Sequence, residues 1–241
     1  MIQEIRIKNY LSFRDEVVLS FEATKDTTFE ECQVVNVTPK VRLLRFALIY
    51  GANASGKSNL LKAMDFLRDF WFDKKSDIDE DTGVVPFLLD TETPNEPSEF
   101  NIKFFVGDKR YWYALVLDDK QVIKEDLYVY NSVQPSLVFS RELDGTASLI
   151  KLNASLVKAN ATIVEQLNVK CLSNMSFFAA RNQVNCSLAY IDEVRDWMKN
   201  NMMPIIEPGT RMFEYAGKQM EKNAELKAYI LDFVHKADYN I

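Results

Sequence analysis

The segment Gly51-Ala52-Asn53-Ala54-Ser55-Gly56-Lys57-Ser58 constrains this chain more than any other part of it. Two glycines separated by four residues, followed at once by a lysine and a serine, let a loop turn its backbone amides around phosphate oxygens at the start of a helix. Gly51 and Gly56 permit the tight backbone path, Lys57 is placed to reach the β- and γ-phosphates, and the Ser58 hydroxyl is placed to ligate Mg²⁺. Asn53, Ala54, Ser55 and Asn59 contribute mainly backbone amides. The expected nucleotide-binding residues are therefore Asn53, Ala54, Ser55, Gly56, Lys57, Ser58 and Asn59, with Ser58 as the metal ligand and ATP with Mg²⁺ as the cofactors. From average residue usage, a chance match in a chain of this length is on the order of one in a hundred.

The flanks agree with the loop. Residues 42–50, RLLRFALIY, end in a continuous apolar run, which predicts a strand buried on both faces as in a parallel sheet. After the loop, Leu60, Met64, Leu67 and Trp71 recur at helical spacing, with Ala63 and Phe70 beside them. Before it, apolar residues at Ile2, Ile5 and Ile7 and at Val17, Val18, Leu19 and Phe21 flank the corner Asn9–Arg14 and predict an antiparallel hairpin. Residues 73–98 are acidic and carry Pro86, Pro94 and Pro97, which predicts a solvated, mobile connection. Alternating segments between 99 and 152 predict an antiparallel meander, and helical periods dominate from about 160. The expected fold is α/β: an N-terminal hairpin, a parallel-sheet strand carrying the loop, an antiparallel β meander and a C-terminal helical segment.

Composition removes several classes of function. Lys and Arg total 29 against 35 Asp and Glu, and the net charge of -6 gives no support to nucleic-acid binding by the chain as a whole. No apolar run reaches the roughly 18 residues that a membrane helix needs. Cys32, Cys171 and Cys186 have no paired spacing and read as buried thiols in a reducing compartment, which predicts a cytoplasmic setting. His235 is the single histidine, so histidine-based hydrolytic triads lack material.

ATP hydrolysis needs a carboxylate beyond the phosphate loop. Asp192-Glu193 ends an apolar stretch, and Leu172-Ser173-Asn174-Met175-Ser176 faintly echoes an LSGGQ signature. However, Leu188, Ile191, Val194, Trp197 and Met198 run a helical stripe straight through the acids, and the echo lacks both signature glycines. That stripe favours a helix over a strand ending in acids, and the catalytic residues stay unknown. Gln183 is the one glutamine suited to sensing a γ-phosphate, with a helix-end surface role as the plainer reading. Tyr111, Trp112 and Tyr113 beside Lys109 and Arg110 suggest base stacking, but alternation sets Trp112 on the opposite face from the tyrosines, as in an ordinary sheet.

Ile5–Phe13 together with Phe46–Ala63 resembles the N-terminal lobe of ABC-type AAA family ATPases related to RecF, SMC and OLD proteins. It looks most like the bacterial subset linked to abortive infection and phage defence. Pro86-Phe87, Glu125, Arg141-Glu142 and Asp196-Trp197 look similar to that subset as well. The resemblance implies that residues 1–155 form an ATP-binding lobe and that residues 156–241 lead into a second lobe supplying the signature, the Walker B acids and a switch histidine. On that expectation the chain is an N-terminal piece of an ATPase that forms a homodimer or higher oligomer and drives conformational change in an effector protein or on DNA, in phage defence or DNA-related processes. The alternative is a noncatalytic nucleotide-sensing module that holds an effector such as a nuclease in check. Leu11 departs from relatives that often carry a polar or basic residue there, which removes the expected nucleotide contact from the hairpin.

Overall fold

The computed structural model describes residues 1–207 and 209–237. They fall in two compact units, Met1–Pro204 and Ile205–Ile241. The last residues of the predicted helical segment, 238–241, lie outside the described part.

The first unit is built on a seven-stranded antiparallel sheet. Strands β1 (Ile2–Lys8) and β2 (Val17–Ser20) form the expected hairpin, with Ile5 opposite Leu19. A helical turn, α1 (Glu30–Gln33), then leads into a separate small sheet of β3 (Val34–Thr38) and β4 (Val41–Leu44). Helix α2 (Lys57–Phe70) follows the glycine loop. The meander then runs through β5 (Ser98–Val106), β6 (Lys109–Leu117), β7 (Val122–Tyr130), β8 (Ser136–Asp144) and β9 (Ala147–Leu152). The order in the large sheet is β2-β1-β5-β6-β7-β8-β9, so the hairpin joins the meander through β1 and β5.

Period-two alternation decides which face is covered. In β1 the residues Gln3, Ile5 and Ile7 turn inward while Glu4, Arg6 and Lys8 stay on the outer face. Helices cover the inner face only, giving two layers. Helix α2 buries Leu60, Ala63, Leu67 and Phe70, and Trp71 just beyond it meets Tyr113 edge-on at 5.6 Å. Helices α3 (Ala161–Lys170), α4 (Phe177–Arg181) and α5 (Ile191–Asn201) complete the layer. Phe177 stacks on Phe139 at 4.0 Å, and Trp197 stacks on Phe104 at 4.3 Å. In the second unit, α6 (Phe213–Lys222) and α7 (Ala224–Lys236) form a helical pair without a buried residue, and Asn223 caps α7 by accepting from the Leu226 amide at 3.0 Å.

Two expectations need correction. The strand predicted over residues 42–50 stops at Leu44, where β4 pairs with β3 in an antiparallel sheet. Residues 46–50 lie in no strand, and Phe46, Leu48, Ile49 and Tyr50 are 55, 68, 40 and 83 % exposed. A parallel strand is buried only between flanking strands and covering helices. Every long strand described here is already committed to the antiparallel sheet, so the parallel sheet is not formed among the described residues. The connection 73–98, predicted to be mobile, is instead tied down. Asn174 Nδ2 donates to the carbonyls of Asp77 and Glu80, each at 2.8 Å, the Thr82 hydroxyl donates to the Asp118 carbonyl at 2.6 Å, and Val84 is buried.

The centre of the sheet holds a fully buried ion pair, Arg141–Glu125 at 3.2 Å. Arg141 uses all five N–H donors: on Glu125, the Ser148 hydroxyl and the carbonyls of Leu172, Ser173 and Met175. Glu125 accepts in addition from the Tyr113 and Ser176 hydroxyls at 2.9 and 2.8 Å and from the Phe177 amide at 2.8 Å. Burial pushes the Tyr113 phenol well up, and the neighbouring carboxylate adds to the shift. The pair therefore rivets the segment 172–177 to the meander. Removing one partner leaves the other charge buried and uncompensated, so Arg141→Ala or Glu125→Ala should lower unfolding stability by about 3–5 kcal/mol. Chemical denaturation is the check, and a loss below about 1 kcal/mol, the range of an exposed pair, would contradict this account.

Candidate nucleotide site

The loop enters helix α2 through two left-handed residues, Ala54 at φ 62° and Gly56 at φ 88°. Gly56 is the N-cap and offers no side chain to the helix, and the first turn carries no acid. The amides of Gly56, Lys57 and Ser58 donate to no backbone carbonyl among the described residues, while those of Asn59 and Leu60 close onto the Gly56 carbonyl at 2.9 and 3.2 Å. Free amides and the positive end of the helix dipole thus coincide at the loop, the arrangement that attracts an anion.

Lys57 folds back across the loop. Its ammonium donates to the Gly51 carbonyl at 2.9 Å, the Ala52 carbonyl at 2.6 Å and the Ser55 hydroxyl at 3.4 Å. All three donors of the ammonium are held by neutral acceptors of the loop itself. Asn53, Ala54, Ser55 and Ser58 are exposed, whereas Gly56, Lys57 and Asn59 are half-buried.

The N-terminal hairpin forms one wall of this loop. Ser12 Oγ accepts from Asn59 Nδ2 at 2.9 Å, and a Cβ on Gly56 would lie 2.9 Å from Ser12 Oγ and 3.2 Å from the Phe13 ring. Sequence reasoning missed Ser12, because attention fell on Leu11. Leu11 is half-buried and packs against the core, with its amide on the Val85 carbonyl at 2.9 Å. Neighbouring positions in so tight a corner point apart, and that was the available signal.

The other sequence-derived residues sit elsewhere. Asp192 and Glu193 occupy the first turn of α5, as the helical stripe requires. Asp192 pairs with Arg181 at 2.8 Å and accepts from the Leu188 amide at 2.8 Å; Glu193 pairs with Lys109 at 2.8 Å and accepts from the Tyr111 hydroxyl at 3.2 Å. The Leu172–Ser176 segment is wrapped around Arg141, and Asn174 and Ser176 are wholly buried, so the signature echo is a core segment. Gln183 follows the end of α4 and reaches only the Ala179 carbonyl, at 3.5 Å. Tyr111 and Tyr113 are buried, and Trp112 stacks on Tyr128 across the outer face at 4.6 Å. No group of three or more His, Cys, Asp or Glu side chains suited to a metal ion occurs among the described residues. A groove of about 730 Å³, lined in part by Arg68, Phe72, Met198 and Met202, lies at the opposite end of α2. Helical rise puts it roughly 15 Å from the phosphate loop.

With the loop geometry established, the comparison with known families becomes informative. Residues 46–151 match the family model described as "AAA domain, putative AbiEii toxin, Type IV TA system". The match spans under half of the 241 residues, from the exposed strand-like segment through the loop and α2 to β9. It supports an AAA-type ATPase family and, with it, nucleotide binding. No curated protein and no solved structure matches the chain. No helix among the described residues is long and apolar enough to cross a membrane.

The two loop glycines should respond differently to substitution. A Cβ on Gly51 would meet the Ser55 hydroxyl at 2.7 Å, the movable end of a side chain, and Gly51 has no positive φ. Gly56→Ala should cost about 1–3 kcal/mol of stability through its left-handed backbone and the Ser12 contact. Gly51→Ala should cost less than about 1 kcal/mol. Equal losses in thermal or chemical unfolding would contradict the strain assigned to Gly56.

Proposed function

We propose that this chain is the nucleotide-binding lobe of an ABC-type ATPase. It takes ATP on the loop Asn53–Asn59, through the amides of Gly56, Lys57 and Ser58, which donate to no backbone carbonyl among the described residues, with Lys57 on the β- and γ-phosphates. The observation that carries this reading is the coincidence of free loop amides, a helix N-terminus without a side-chain cap, and Lys57 poised on the same loop. Ser58, exposed at the first turn of α2, would hold Mg²⁺ together with the nucleotide's own oxygens, where the ion screens phosphate charge.

Hydrolysis belongs, on this reading, to the complete protein. Residues 1–155 form the lobe, and residues 156–241 lead toward a second lobe whose strands cover Phe46–Tyr50 and whose acids complete the site. The exposed apolar run before the phosphate loop supports this, because such a run is stable only with strands beside it. Dimerisation around ATP and an effector partner complete the proposal. Of the three thiols expected to be buried, Cys171 is buried, Cys186 is half-buried and Cys32 is exposed; all three are free, which fits a cytoplasmic setting, and the toxin wording of the matched family supports a role in phage defence.

A second reading, a noncatalytic nucleotide sensor that restrains an effector, is favoured by one observation. Asp192 and Glu193 are already committed to Arg181 and Lys109. Both readings share the binding step.

Lys57→Ala should weaken Mg-ATP binding by at least about tenfold, because a charge-assisted contact to phosphate disappears. Lys109→Ala, which removes only the partner of Glu193, should leave affinity unchanged. Titration calorimetry returning equal affinity for wild type and Lys57→Ala would sink the phosphate-loop assignment.

Steady-state ATP turnover by the 241-residue chain should stay near background with Mg²⁺ present, and Asp192→Asn or Glu193→Gln should not change it. Robust turnover abolished by either substitution would show instead that the helix α5 acids are catalytic.

A further inference from the structure

We propose that Ser12 is a positioning residue of the nucleotide site, acting through Asn59 to set the aim of the phosphate loop; the proposal rests on the nucleotide-binding reading above. Three neighbours could hold the loop in place. On its N-terminal side, Phe46–Tyr50 has no strand beside it among the described residues, so the loop gains little rigidity from that stem. On its C-terminal side it is continuous with α2, which the core grips through Leu60, Ala63 and Leu67. The remaining contact is the hairpin corner.

That corner is rigid. Tyr10 and Phe13 exchange two backbone hydrogen bonds, each at 2.9 Å, and the Leu11 amide is bonded to the Val85 carbonyl. The Tyr10 ring packs between Phe66 and Phe100, at 5.7 and 5.2 Å, and its hydroxyl donates to the Lys62 carbonyl at 3.3 Å. Ser12 is thereby presented at a fixed place over Gly56, with its Oγ accepting from Asn59 Nδ2.

Asn59 follows Ser58 directly, so tethering its side chain fixes the rotation of the first turn of α2. The same rotation sets the direction of the Ser58 hydroxyl and of the amides of Lys57 and Ser58. Small errors in such aim are costly, since binding depends on donors already oriented toward the ligand. Gly56 suits this packing as well, because any side chain there would push Ser12 off the loop.

The test compares wild type with Ser12→Ala, Ser12→Thr, Asn59→Ala and the Ser12→Ala/Asn59→Ala double variant. Mg-ATP affinity is measured by calorimetry, the melting temperature is recorded for each variant, and Lys57→Ala is run alongside. Ser12→Ala should bind about threefold to tenfold more weakly, the range of one net hydrogen bond, at an unchanged melting temperature. Ser12→Thr, which keeps the hydroxyl at an exposed position, should restore wild-type affinity. The double variant should bind no more weakly than Asn59→Ala alone, as expected when both changes remove one interaction. Unchanged affinity in Ser12→Ala, additive losses in the double variant, or a loss matched by a lower melting temperature and not restored by threonine would each overturn the proposal. If wild type binds Mg-ATP and Lys57→Ala does not while Ser12→Ala is neutral, only the role of Ser12 falls. If wild type binds no nucleotide, the phosphate-loop reading falls and this proposal with it.

Discussion

The buried side chain of Asn9 is the constraint on which the site depends. It sits at φ 51°, a left-handed conformation that asparagine tolerates better than most residues, and it has no exposed surface. Its amide nitrogen donates to the carbonyls of Thr93 and Glu96 at 2.8 and 2.7 Å, while its side-chain oxygen accepts from the Phe87 amide at 2.9 Å. Its backbone carbonyl accepts from the Ser98 hydroxyl. One residue therefore joins the end of β1, the irregular connection before β5 and β5 itself. Because buried amides left unpaired are costly, the corner has few alternatives to this path. The corner carries Tyr10, Ser12 and Phe13 against α2 and the phosphate loop, so the geometry of the loop is inherited from hydrogen bonds made on the far side of the turn.

How much of this was legible in the sequence follows from which interactions are local. The hairpin, helix α2, the meander and helix α5 all advertise themselves by period, since alternation and the 3.6-residue stripe report one covered face without reference to any partner. The segment Phe46–Tyr50 misled for the opposite reason. A continuous apolar run reports that both faces are to be covered, but not by what, and no described strand does so. The phosphate loop was readable because its residue types are fixed by backbone chemistry at known spacing. Ser12 was not, because its role depends on a contact with Asn59, 47 residues away, and on a corner held by Asn9. The connection 73–98 read as mobile for the same reason, its polar composition hiding the long-range tethers from Asn9 and Asn174.

The buried pair Arg141–Glu125 bears on chemistry as well as stability. To satisfy five guanidinium donors, the fold draws the carbonyls of Leu172, Ser173 and Met175 inward and closes the segment around the arginine. A signature segment that reaches a phosphate must present its backbone to solvent, and this one has used it internally. Asp192 and Glu193 tell a similar story, since each is neutralised by a neighbouring cation at the start of α5. The carboxylates named in the sequence are thus engaged in ion pairs within the fold.

Lys57 finds its acceptors within its own loop. An ammonium half-buried beside free amides would be unfavourable if left without acceptors, and the carbonyls of Gly51 and Ala52 supply them from the same loop. These bonds hold the loop curled, with its amides free and its lysine close at hand. Neutral carbonyls are weaker acceptors than phosphate oxygens, so these bonds are the weaker kind an ammonium can make. The loop itself is held unevenly. Its C-terminal side is anchored in the core through α2, whereas its N-terminal side is the unsheltered run Phe46–Tyr50. A displacement of the loop therefore meets less resistance on the side of Phe46–Tyr50, which no described strand anchors, than on the side held by Leu60, Ala63 and Leu67.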